Sequence, residues 1–120
     1  MQVPLQLTFR GMAPSDALAA HVRLRAEKIE HLFDRIVSYH VVVSLAGHHH
    51  RHGDRFHVSI NLGLPGHEIL VGHAPSDDQG PKTAYGAVDR SFDDAGRELE
   101  DWVKHQRTQR HDELANGRTS

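Results

Sequence analysis

Four imidazoles crowd into residues 48–52 (His48, His49, His50 and His52), and His57 follows close behind. Neutral imidazole is a good ligand for zinc, copper and nickel. Structural zinc sites, however, space their ligands on defined elements, and this run sits in a turn-like stretch, GHHHRHGD (47–54). Such a run is a loose chelator. The four histidines are therefore weak candidates for metal, and no resident metal or other cofactor is expected. A second use is contact with phosphate, because protonated His pairs with it. Protonating all 12 His would move the formal charge from −2 to −2 + 12 = +10.

Catalysis has less to draw on. A nucleophile needs an adjacent base and an orienting third group. The chain shows no G-x-S-x-G, P-loop or G-x-G-x-x-G signature. Asp77-Asp78 and Asp93-Asp94 are adjacent carboxylates, read as solvated acids in a loop and on a helix. Cys is absent, which removes thiolate chemistry, disulfides and Cys-ligated metals. A non-enzyme is expected.

The basic residues carry more pattern. Arg90, Arg97 and Lys104 recur every seven residues and form one stripe on a helix. Arg25, Lys28 and Arg35 lie roughly along one face of an earlier helix. Two such helices side by side would edge a groove suited to a nucleic-acid backbone. Asp93 stands four before Arg97 and Glu100 four before Lys104, the spacing of solvated helix ion pairs worth a few tenths of a kcal/mol each. With 14 Lys+Arg against 16 Asp+Glu, the chain lacks the strong positive charge of a typical RNA binder. Trp102 and Tyr85 fall on a core stripe, so base stacking is not expected, and any RNA would be held by shape and phosphate contact.

The elements that must position these residues follow from periodicity. Residues 3–9 (VPLQLTF) alternate as a half-buried strand. Gly11 and Pro14 break it. Ser15 or Ala13 caps a helix with Pro14 and Asp16 in its first turn, and an apolar stripe from Leu18 to Ile36 gives it about five turns. Strands follow at 37–46, 55–64 (Phe56, Val58, Ile60, Leu62 and Leu64 on one side) and 68–72, with turns at 47–54 and Pro65-Gly66. A second helix runs from about Pro81 to Gln106, its stripe made by Tyr85, Val88, Phe92, Ala95, Leu99 and Trp102/Val103. This predicts an α+β domain over 1–106 in the order β-α-β-β-β-α, a four-stranded sheet with both helices on one face, laid out like a double-stranded-RNA-binding domain. Residues 107–120 are expected to form a flexible polar tail. At 120 residues, one domain can bury a real core without a metal or disulfide. Nothing approaches a membrane span or a signal peptide, so a cytoplasmic protein with no membrane partner is expected.

Several segments together resemble a known family. They are Met1–Phe9, RAEKIEHLFDRI (25–36), VVVSL (41–45) and AYGAVDRSFDDAGRELEDWVKHQR (84–107). They are similar to the ribosome hibernation-promoting factor and ribosome-associated inhibitor A family, also called sigma-54 modulation or small-subunit interface proteins. The sharpest pieces are the R-x-x-K-[LI]-E-x-x-F-D-R-I and Y-x-A-[IV]-D…R-[QE]-L runs. The resemblance implies a β-α-β-β-β-α fold, binding to the small ribosomal subunit and its 16S rRNA at the decoding region, and a block of the messenger and transfer RNA sites under stress or in stationary phase. The chain resembles the short form of the family.

Family RNA contacts come largely from basic residues of the two helices, and Arg25, Lys28 and Arg97 match them position by position. The full set of RNA-binding candidates is Arg25, Lys28, Arg35, Arg90, Arg97, Lys104, His105 and Arg107. Two positions depart: Asp94 and Asp101 stand where members usually carry Lys. Each replaces attraction to phosphate with repulsion. The alternatives are a diverged interaction protein of the same fold that works through a protein partner, and a His-rich metal-binding protein.

Overall fold

The computed structural model describes residues 4–49, 53–72 and 83–117. Leu7 and Phe9, at alternate positions, put β1 (Gln6–Arg10) half-buried on the core, with Leu5 packed just before it. Ser15 then caps α1 (Asp16–Leu32), its Oγ accepting from the Leu18 N–H at 3.2 Å. Pro14 therefore precedes the cap and does not enter the first turn. The helix also stops a turn before the expected Ile36. Phe33 is extended (φ −160°, ψ 127°), and its ring turns edge-to-face against Trp102. Arg35 consequently leaves the helix face on which the sequence spacing set it.

Three strands follow: β2 (Ser38–His49), β3 (Gly53–Leu64) and β4 (His67–Val71). The β2–β3 ladder runs further than expected, pairing His48 with Asp54 and His49 with Gly53 across an irregularity after Leu45. Much of the histidine stretch is thus strand rather than turn. Pro65 and Gly66 close the next hairpin. Proline presets the first corner, and the positive φ of Gly66 (70°) supplies the second without a Cβ clash. The sheet order is β1-β2-β3-β4, with β1 parallel to β2 across the α1 crossover and the other pairs antiparallel.

α2 (Ala84–Gly117) begins where Thr83 accepts the Gly86 N–H on its Oγ1 at 3.0 Å. The expected start, Pro81, lies outside the described residues. The helix does not stop at Gln106. Burial ends at Val103, and Lys104–Thr108 are exposed, so an apolar stripe could not reveal the continuation. Good helix formers without Pro carry it on to Gly117.

One face of the sheet holds the core. Tyr39, Val41, Val43, Val58, Ile60, Leu62, Leu64, Ile69 and Val71 point to the same side. Leu18, Val22, Ala26 and Ile29 of α1 and Ala87, Val88, Phe92, Ala95 and Leu99 of α2 cover them in one cluster. Burying each of these larger side chains is worth about 1.5–3 kcal/mol. Two polar hooks pin the layers. Ser91 Oγ, buried on α2, donates to the Val58 carbonyl of β3 at 2.9 Å, and Tyr39 Oη donates to the Ala26 carbonyl of α1 at 3.3 Å. Tyr85 is the exception on the expected stripe: it is 44% exposed.

Burial, with a smaller push from the Glu30 carboxylate, holds the Tyr39 phenol protonated well above the usual tyrosine range. An unfolded tyrosine ionises near pH ~10. The folded chain keeps the proton longer, so this contribution to stability is complete below pH ~10 and is lost as the pH climbs beyond it. Tyr39→Phe is expected to cost about 0.5–1.5 kcal/mol at neutral pH for the lost hydrogen bond. It should also flatten the fall of stability above pH ~10. Urea melts of both proteins from neutral to alkaline pH check this, and an unchanged alkaline slope in the variant would contradict it.

Candidate nucleic-acid interface

Helices α1 and α2 pack side by side and parallel, since contacts advance in step along both. His21 meets Asp89, Arg25 meets Asp89 and Asp93, and Ile29 and Leu32 meet Gly96. Gly96 faces Ile29 and Leu32 across the seam, where a Cβ would sit in ordinary contact, 3.4 Å from Ile29 Cδ1. The seam opens outward into a groove of about 420 Å³. Its floor is Ile29, Leu32 and Phe92, and its walls carry Arg25, Lys28 and Arg97 together with Asp93 and Glu100. The three basic residues that match the family motifs are thereby brought together.

The other candidates divide. Arg35 and Arg107, far apart in sequence, meet at a second cavity where the end of α1 faces α2. Arg90, Lys104 and His105 are exposed on α2 but line neither cavity. Arg90, Arg97 and Lys104 do not therefore act as one groove-lining stripe; only Arg97 reaches the groove.

Ion pairing differs from the expected i,i+4 pattern. Asp93 reaches across to the Arg25 guanidinium instead of pairing along its own helix with Arg97. Arg97 Nη1 pairs with Asp94 Oδ1 at 3.2 Å. Asp89 Oδ1 accepts from His21 Nε2–H at 2.7 Å and lies 3.5 Å from Arg25 Nη1. The Tyr85 ring meets the His21 ring edge-on, with 5.1 Å between centroids. Arg25, only 21% exposed in its side chain, is thus clamped by two carboxylates of the partner helix. His21 and Asp89 escaped the sequence reading because no local spacing links residues on different helices. The family position that departs as Asp94 holds Arg97, while Asp101 is exposed on the same helix.

Histidines outside the groove sort by sheet face. His57 Nε2 bonds the Gly72 carbonyl on the open face of the sheet, where His40 Nε2 also meets Thr8 Oγ1 at 3.1 Å. The side chains of His48, His49, His50 and His52 lie outside the described residues, as do Asp77 and Asp78. Among the described residues, no three His, Asp or Glu side chains gather as a metal site. No helix among them is long and apolar enough to cross a membrane.

Comparison with known proteins gives the same architecture. The family described as "Sigma 54 modulation protein / S30EA ribosomal protein" matches residues 5–107. The Protein Y N-terminal domain of Thermus thermophilus superposes with a TM-score of 0.65 at 22% identity, over 85% of this chain and 99% of that one. A ribosomal subunit interface protein from Coxiella burnetii superposes with a TM-score of 0.67 at 20% identity, over 83% of this chain and 97% of that one. No curated protein sequence matches the chain.

Releasing the clamp should strengthen the groove's attraction for polyanions. Asp89→Asn with Asp93→Asn raises the formal charge from −2 to −2 + 2 = 0. Both carboxylates are more than a third exposed, so solvent screening limits the stability cost to under about 1 kcal/mol. The double variant is expected to elute from a heparin column at higher salt than the parent chain, with a nearly unchanged melting temperature. Equal elution would show that Arg25 does not limit the charge of this face.

Proposed function

Because the chain belongs to the sigma 54 modulation protein / S30EA ribosomal protein family, we propose that it docks on the small ribosomal subunit at the decoding region and keeps messenger and transfer RNA out. It acts by occupancy, without a chemical step, and serves idle ribosomes under stress or in stationary phase. The observation that carries this reading is the groove in which Arg25, Lys28 and Arg97 share one face. A phosphate backbone running along parallel helices meets guanidinium and ammonium groups in sequence, and each contact displaces a condensed counterion. Arg35 and Arg107 extend the positive rim past the end of α1. The subunit interface named for the Coxiella burnetii protein fits the same assignment.

The carboxylates in the groove favour a second reading, a diverged protein of this fold that has exchanged RNA for a protein partner. Asp89, Asp93 and Asp94 each hold a positive or histidine side chain that RNA would otherwise meet. We rank this second. Asp89 and Asp93 stand in the family-like run AYGAVDRSFDDAGRELE, and internal pairing weakens RNA binding without removing the guanidiniums from the groove.

Co-sedimentation with purified small subunits separates the two. At low salt the chain is expected to pellet with the subunits. Lys28→Glu with Arg97→Glu should weaken binding by about tenfold or more and lower the salt slope by roughly 0.7–0.9 per lost phosphate contact. Failure to pellet at low salt, or binding indifferent to both reversals, would contradict the docking proposed.

A further inference from the structure

The end of α1, the residues just after it and the outer part of α2 line a half-open cavity of about 350 Å³ beside the groove. Its walls are aromatic and its rim is charged. Trp102 and Phe33 both line it, meeting edge-to-face with 5.3 Å between centroids and 89° between ring planes. The His67 ring of β4 stacks on Trp102, 5.6 Å away and within 7° of parallel, so the indole is held from the sheet side. Sequence periodicity put Trp102 in the core, yet it is only partly buried, because Phe33 leaves the helix and the cavity opens beside it.

Polar groups surround these rings. The Arg35 guanidinium lies 5.7 Å from the Phe33 centroid, and Arg107 reaches the same cavity from α2. Gln106 and Asp34 add an amide and a carboxylate to the lining. Aromatic planes accept any base by stacking, guanidiniums accept phosphate, and an amide with a carboxylate can satisfy the donors and acceptors of a base edge. The two exposed guanidiniums favour a ligand that carries an anionic group. The volume lies within the range of small-molecule sites.

We infer that this cavity binds a single unstacked nucleotide, its base against Trp102 and Phe33 and its phosphate between Arg35 and Arg107. The inference rests on the ribosome reading and deepens it. One source of the ligand is an extruded nucleotide of structured RNA, and the other is a free mononucleotide. The site fixes one base at the end of the groove, where phosphate contacts alone would let the strand slide.

The chain has 1 Trp, so its fluorescence reports this cavity directly. Titration with a single-stranded RNA hexamer is expected to quench it saturably. Quenching by guanosine 5′-monophosphate as well assigns the site to free nucleotides, and quenching by the hexamer alone assigns it to RNA. Arg35→Glu with Arg107→Glu, both at exposed positions, should weaken hexamer binding roughly tenfold or more with an unchanged circular dichroism spectrum. Arg10→Glu, at the far edge of the open sheet face, should leave it as it was. Three results would overturn the inference: no saturable quenching by either ligand, equal quenching by inorganic phosphate or polyglutamate, or full quenching in the double variant. Co-sedimentation with the small subunit without quenching sinks the cavity alone. Quenching without co-sedimentation sinks the ribosome reading and leaves the cavity standing.

Discussion

The apolar layer between the sheet and the two helices decides where every charged group of this molecule can sit. Nine strand residues present one continuous surface, and only two helices lying side by side cover it. Once α1 and α2 lie parallel with Gly96 facing Ile29, their remaining faces form a groove. The groove is therefore a by-product of core packing, and its composition is free to vary. The hooks from Ser91 and Tyr39 fix the helix positions along the sheet, which in turn sets Arg25 opposite Asp89 and Asp93.

That placement creates an electrostatic compromise. A face that binds RNA needs cations held ready, yet crowded like charges on two adjacent helices repel each other. The carboxylates at 89, 93 and 94 relieve that repulsion and orient Arg25 and Arg97. They also compete with phosphate for the same guanidiniums. Exposed pairs of this kind contribute little to folding stability, at most about 1 kcal/mol. In the proposed docking on RNA their effect is larger, because each pair would have to be broken or bypassed by a phosphate.

Much of the fold is legible in the residue pattern, and the reasons are physical. Alternation over residues 5–9 and 56–64 has the strand period, while Leu18-Val22-Ala26-Ile29 and Val88-Phe92-Ala95-Leu99 have the helical one. Ser15 was readable as a cap because its chemistry is local. What periodicity could not show lay where burial stops or where residues distant in sequence meet. Helix α2 outlasts its apolar stripe, Phe33 ends α1 early through a contact with Trp102, and Tyr85 leaves the core stripe for the His21 ring. That Arg25, Lys28 and Arg97 line one groove follows from their places on two helices that pack side by side. The clamp on Arg25 and the pocket that both Arg35 and Arg107 line have no local signal, since each draws on side chains more than sixty residues apart.

The proposed docking stands or falls on where the groove lands. Hydroxyl-radical footprinting of small-subunit RNA, with and without the bound chain, reads that position directly. Protection confined to the decoding region, and lost when Lys28 and Arg97 are reversed in charge, is the predicted result. Tight binding with protection elsewhere on the subunit, or with no protected nucleotides, would contradict it.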